Sequence, residues 1–296
     1  ANYPGFDPNT YSQFEIKNFI NPAVQMVYEP GSVMKIITMA AGIESKKITP
    51  DTTFIDMGSV TLNKKTIQNW DQKANGKQTM RSVLELSINT GAVFAEQKTG
   101  HDIFYNFLLK FGFAEPTKIS LPGEVRGNTN NLKKGKDIDF ATASFGQGVA
   151  VTPIELINAV AAIANGGKLM QPLILVGEKP KVVRQVISEK TADTITNMMM
   201  GVVKKNKVAD IQNYTVAGKT VTAYIPDFVK GGYTDQVIDS FIGFAPASTK
   251  QGPKYVILVK LDKPEGSPVA TITAGPAFHE LMQFVLNYYH IAPDAL

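Results

Sequence analysis

The sequence predicts an α/β chain of the α+β kind, with an antiparallel sheet late in the sequence and helices before and after it. Three observations predict it. Apolar residues recur at helical spacing in several segments between residues 32 and 204; β-branched stretches separated by short turns crowd into 215–261; and a last helical pattern occupies 276–289. No internal repeat or low-complexity linker divides the 296 residues, and a hydrophobic content of 44% supplies ample core. One unit spanning 1–296, with a helical lobe, is the simplest organisation.

Each element has a local reason. Residues 1–31 are rich in Pro, Gly and Asn and read as an irregular lead-in. Pro30-Gly31 turns the chain into a helix from Ser32 to Glu44. Residues 45–79 are turn-rich with short strand-like pieces, followed by helical stretches from Arg81 towards Leu86 and from Gly91 to Lys98. Residues 102–112 carry apolar side chains at helical spacing and stop at Gly112. The segment 114–148, full of Gly, Asn and Lys, reads as irregular. A helix over Ile154–Ala164 is ended by Gly166-Gly167; Lys181–Ile187 reads as a strand and Thr191–Lys204 as a helix. Thr215–Ala223, Ser240–Pro246 and Tyr255–Leu261 are strands, and Pro276–Tyr289 is the closing helix.

Composition excludes several classes of function. The net charge of +4 and pI near 9.0 come from scattered Lys and Arg, without a basic stripe interleaved with aromatics, which argues against nucleic acid. There is no cysteine, so thiolate chemistry is out, and His101, His279 and His290 lack metal-ligand spacing. No apolar run approaches the ~20 residues that span a bilayer. The first ten residues have no signal-peptide pattern, so the chain is expected to begin at a mature terminus or inside a longer protein.

The helix from Ser32 is where chemistry concentrates. Its residues, SVMKIITMAAGIE, are apolar nearly all round, which buries it; Lys35 is the exception. A buried ammonium costs several kcal/mol unless it is paired or gives up its proton. An ordinary lysine would snorkel to water or meet a carboxylate, and an ordinary serine at this place would be a helix cap. Three residues apart, however, Ser32 and Lys35 share one helix face, and Ser32 sits where free N–H groups favour an oxyanion. A lysine made partly neutral by burial and by a second cation is a base for that serine.

Two further segments complete a pattern. YEPGSVMK at 28–35, SIN at 87–89 and AGKTVTA at 217–223 resemble the Ser-x-x-Lys, Ser-x-Asn and Lys-Thr-Gly motifs of the serine penicillin-recognising family, in that order. PGFDPN near the start, NWD at 69–71, FGQGVAVTP at 145–153, SFIGFAPA at 240–247, YVILVKLDKP at 255–264 and TAGPAF at 273–278 extend the similarity to class B penicillin-binding proteins over nearly the whole chain. The resemblance implies a central five-stranded antiparallel sheet flanked by helices, a mostly helical lobe and an active site between them. It implies a monofunctional transpeptidase domain over 1–296, with a membrane anchor and an N-terminal module outside this chain.

Under the same resemblance Ser32 is the nucleophile and Lys35 its base. Ser87 relays protons between Lys35 and the leaving amine, and Asn89 holds the substrate's peptide backbone. Lys219 places positive charge at the cleft, favouring a neutral Lys35. Thr220 and Thr222 bind the substrate's terminal carboxylate, and the backbone N–H groups of Ser32 and Thr222 form the oxyanion hole. Implied partners are D-Ala-D-Ala stem peptides, β-lactams and membrane proteins of division or elongation, on the outer side of the cytoplasmic membrane. No metal or organic cofactor is implied. Gly146, Gln147 and Gly148 are expected to form a structural turn at the cleft.

The third motif departs from the pattern: Val221 stands where the family has glycine. Strand alternation puts Val221 on the face of Lys219, against the serine helix, where an isopropyl group costs roughly 1–3 kcal/mol unless the strand shifts. Activity with altered selectivity and a near-inactive scaffold are the two readings that follow. The rival within the family is a β-lactamase or β-lactam sensor. Glu155, in an E-x-x-N pattern with Asn158, is read as a helix-surface carboxylate rather than a deacylating group. Outside the family, there is no G-x-S-x-G elbow, and the sparse histidines give no Ser-His-Asp triad.

Overall fold

The computed structural model describes residues 1–227, 229–248, 254–266 and 269–295. After the lead-in and a short α1 (Pro22–Gln25), a 3-10 turn at Gly31–Val33 runs into α2 (Met34–Glu44). Four short strands follow: β1 (Thr53–Asp56), β2 (Ser59–Leu62), β3 (Lys65–Gln68) and β4 (Gly76–Thr79). Then come α3 (Met80–Leu86), α4 (Asn89–Thr99), α5 (His101–Lys110), α6 (Asp137–Ala143) and α7 (Pro153–Ala164). Strands β5 (Lys168–Met170) and β6 (Val182–Gln185) lead to α8 (Glu189–Asn206). The last third holds β7 (Ala217–Pro226), β8 (Tyr233–Ala245), β9 (Tyr255–Asp262) and α9 (Ala274–Tyr288).

The long strands form one antiparallel sheet in the order β7-β8-β9, with Lys219 opposite Ile242 and Val221 opposite Ser240. Among the described residues this sheet has three strands, where the resemblance implied five. The other strands have three or four residues each and pair among themselves as β1-β4, β2-β3 and β5-β6. Only the segments after 215 supply β-branched runs long enough for a full ladder.

Alternation along β8 gives the sheet two apolar faces. Phe241 and Ala245 pack with Phe278, Met282 and Leu286 of α9. Ile242 and Phe244 join the larger core of α2, α7 and α8, through residues such as Ile36, Val160 and Met199. Helix α2 lies in the middle of that core, with every residue from Met34 to Gly42 buried. Hydrophobic burial thus places the serine turn against one face of the sheet, with β7 as the edge strand beside it.

Two expectations are corrected. Residues 137–143, read as irregular because of their polar surroundings, form α6, whose Ile138, Phe140 and Ala141 turn into the core. The period is right but only two turns long, and Gly135 and the lysines before it mask it. Glu155 is not on the surface. It is 2% exposed and closes the N-terminus of α7, accepting N–H groups from Thr152 and Gly127 at 2.8 Å each. Thr152 answers with its hydroxyl to the Glu155 N–H, a capping box. With each oxygen engaged by a backbone donor, and Asn158 donating to the Met170 carbonyl, the E-x-x-N pattern serves the fold. Among the described residues no helix is long and apolar enough to cross a membrane.

Candidate active site

The serine turn is held by an interlock of backbones. Gly31, at φ +53, donates its N–H to the Gly146 carbonyl at 3.2 Å. A Cβ on Gly146 would lie 2.1 Å from the Gly31 carbonyl oxygen, so only glycine permits the approach. The Gly146–Gly148 turn therefore borders the site as expected and fixes the start of α2. One turn further in, Thr38 donates to the Ser144 carbonyl at 2.7 Å and ties α2 to the same segment.

Lys35 is fully buried, and among the described residues its amine meets no carboxylate. Its Nζ donates to the Ser87 carbonyl at 2.5 Å, to Ser87 Oγ at 3.1 Å and to Asn89 Oδ1 at 2.8 Å. Ser87 Oγ in turn donates to Ser32 Oγ at 3.0 Å. The connection from lysine to nucleophile therefore runs through Ser87, a path that helix spacing alone did not reveal. Ser87 reaches it by capping α3 in the left-handed region, φ 59 and ψ 40, which costs a non-glycine residue on the order of 1 kcal/mol.

Burial, and then the charge of nearby Lys219, push the Lys35 pKa well below the ordinary lysine range. Lys219 is 1% exposed, donates to the Thr220 carbonyl at 3.0 Å, and is itself lowered to about 8 by burial. Sequence reasoning asked for a second cation near Lys35, and the fold supplies it from β7, far along the chain.

A pH dependence of stability follows. A lysine whose folded pKa is depressed binds fewer protons in the folded chain than in the unfolded one, so stability rises with pH between the two pKa values. For Lys219 that window opens near 8 and closes near the free-lysine value of about 10.4. Denaturant midpoints should rise between pH 8 and 10. Above that, buried Tyr28, whose pKa is raised chiefly by burial, acts in the opposite direction. A midpoint falling steadily from pH 8 would contradict the burial of both lysines.

The geometry can be set beside known proteins. Residues 1–283 match the family described as penicillin binding protein transpeptidase domain. The chain belongs to that family. Stage V sporulation protein D of Bacillus subtilis is 35% identical over 284 residues, covering 90% of this chain and 42% of that protein. Penicillin-binding protein PbpB of Mycolicibacterium smegmatis is 32% identical over 93% of this chain and 46% of its own length. This penicillin-binding protein chain thus spans about half the length of the curated relatives it matches. Among solved structures, the transpeptidase domain of Burkholderia pseudomallei penicillin-binding protein 3 superposes with a TM-score of 0.84, at 28% identity over 93% of this chain and 84% of that one. Penicillin-binding protein 3 of Mycobacterium tuberculosis, in complex with aztreonam, gives 0.83 at 27% identity, covering 97% and 68%.

Within this penicillin-binding protein domain the third motif is placed unevenly. Lys219 and Val221 face the serine turn. Val221 is 4% exposed, and a Cβ added to Gly31 would lie 2.6 Å from its Cγ1. The valine thus occupies the space a side chain at Gly31 would have needed. Thr220 and Thr222 alternate to the other face. The Thr222 hydroxyl donates to Asp239 Oδ1 at 2.7 Å and accepts the Ala270 N–H at 3.0 Å. This hydroxyl therefore ties β7 to β8 and to the segment ahead of α9. The Thr220 hydroxyl makes no hydrogen bond among the described residues.

Sequence reasoning missed what lies beneath the second motif. Asn69 Oδ1 accepts the N–H groups of Asn89 and Thr90, and Asn89 Nδ2 donates to the Gln68 carbonyl. Asp56, 1% exposed, anchors Asn69. The signal was there: β1 buries Phe54 and Asp56 on alternate positions, placing a carboxylate on a buried face. Concavities of about 380 Å³ beside Tyr105 and Arg126, and about 310 Å³ beside Phe111 and Arg184, are lined by none of the motif residues. Among the described residues no cluster of three His, Asp or Glu could hold a metal ion.

Proposed function

We propose that residues 1–296 form a serine-type D,D-transpeptidase domain that cross-links peptidoglycan stem peptides on the outer side of the cytoplasmic membrane. The observation that carries this reading is the hydrogen-bonded chain Lys35–Ser87–Ser32, headed by a lysine that burial and Lys219 favour in its neutral form. Ser32 Oγ attacks the carbonyl carbon of the penultimate D-alanine, and its proton passes towards Lys35 by way of Ser87. The tetrahedral oxyanion sits between the backbone N–H groups of Ser32 and Thr222. As it collapses, the C–N bond breaks and the departing D-alanine takes the proton back through Ser87. An amine of a second stem then attacks the acyl ester, loses its proton along the same path and releases Ser32. Asn89 retains a free Nδ2 hydrogen for the peptide backbone of the substrate, while the positive charge of Lys219 draws its terminal carboxylate towards the cleft. In the full-length protein, division or elongation membrane proteins would position the domain. β-Lactams acylate the same serine, in keeping with relatives named peptidoglycan D,D-transpeptidase and a structural neighbour holding aztreonam.

Mass spectrometry after incubation with a penicillin tests the proposal. The expected result is an adduct of the intact drug on the Ser32 peptide that persists for many minutes. Rapid loss of the adduct would make the chain a β-lactamase, and no adduct on folded protein would make it a scaffold.

A further inference from the structure

We infer that Asp56, acting through Asn69, is a positioning residue that sets the acceptor facing Lys35. This rests on the proposed acylation at Ser32. Asp56 is a buried carboxylate without a cationic partner among the described residues. Five donor groups satisfy it instead: the N–H of Gly58, the amide NH₂ of Asn69, the N–H and amide of Asn75, and the hydroxyl of Thr90 at 2.6 Å. Burial opposes its ionised form, but the hydrogen bonds prevail and hold its pKa below the usual carboxylate range.

An ionised carboxylate only accepts, so it selects the NH₂ end of the Asn69 amide. The opposite end, Oδ1, must then point at the start of α4. There it accepts from Asn89 N at 3.0 Å and Thr90 N at 3.2 Å, satisfying helix N–H groups that have no partner within α4. The next link is the Asn89 side chain. Its Nδ2 is taken by the Gln68 carbonyl at 2.9 Å, one residue from Asn69, which leaves Oδ1 for Lys35 Nζ at 2.8 Å. One charge thus orients the Asn69 amide, which holds the Asn89 backbone in the place where the Gln68 carbonyl turns the Asn89 amide towards Lys35. A flipped Asn69 would set NH₂ against two N–H donors and displace the Ser87–Asn89 segment that carries the proton path.

The test separates positioning from mere support. Asp56→Asn keeps the shape but removes the bias on the amide. Asn75→Ala deletes a 2.7 Å hydrogen bond to the same carboxylate without touching Asn69. Stopped-flow acylation by a fluorescent penicillin yields the non-covalent dissociation constant and the acylation rate constant separately. For Asp56→Asn the rate constant should fall at least about tenfold with the dissociation constant little changed, whereas Asn75→Ala should lower the melting temperature and keep the wild-type rate constant. An Asp56→Asn rate constant equal to wild type, or an equal fall in both variants, overturns the inference. Should Asp56→Asn not fold, Asn69→Ala is read against Asn75→Ala by the same criterion. A wild-type chain that is never acylated would instead sink the proposed function.

Discussion

Replacing Lys35 by methionine should leave a folded protein in which Ser32 is acylated roughly a thousandfold more slowly, within the range expected for loss of a general base. Two effects on stability oppose each other. Methionine fills a similar volume and removes the cost of burying a polar amine among Ile36, Ile37 and Met39, about 1–3 kcal/mol. It also strips the donor from the Ser87 carbonyl and from Asn89 Oδ1, at about 1–3 kcal/mol for each acceptor left unpaired. The melting temperature should therefore move little while the labelling rate collapses. Following the Ser32 adduct by mass spectrometry, beside a thermal melt, checks both halves. Labelling at the wild-type rate would mean that some other group accepts the serine proton.

Val221→Gly should give the opposite trade. Removing a buried valine from β7 loses its packing against Gly31 and loosens the strand, together about 3 kcal/mol of stability. In return the β7 backbone is free to approach the serine turn. The side chain on Gly31 that would oppose this approach does not exist, so valine is the spacer between the two backbones. Oxyanion donors act when both lie 2.7–3.1 Å from the developing charge, so closer approach of Thr222 to Ser32 should speed acylation. Denaturant unfolding and penicillin labelling of the same preparations measure the two effects. A less stable variant with unchanged acylation would show that Val221 serves packing alone and that the cleft already accommodates it.

The local parts of the site were legible in the residues. Ser32 and Lys35 lie within one helical turn, so their shared face follows from the 3.6-residue period. Alternation on β7 placed Val221 beside Lys219 in the same way, and the long strands and most helices fell close to where their apolar periods put them. Short or polar elements were harder. Helix α6 has too few turns for its period to stand out, and Glu155 resembled a surface carboxylate because its acceptors' partners come from Gly127 and Thr152, outside the helix pattern.

What tertiary packing decided was the wiring. Lys35 reaches Ser32 through Ser87 because α3 ends in a left-handed cap that turns this hydroxyl back towards α2. The Thr222 hydroxyl meets Asp239 because the two residues pair across β7 and β8. The Asn89 backbone is held by Asp56 through Asn69, across three separate segments. Sequence spacing carries the direction of a side chain only within its own helix or strand. The choice among several acceptors for one buried donor depends on which groups packing brings within about 3 Å, and that belongs to the folded chain.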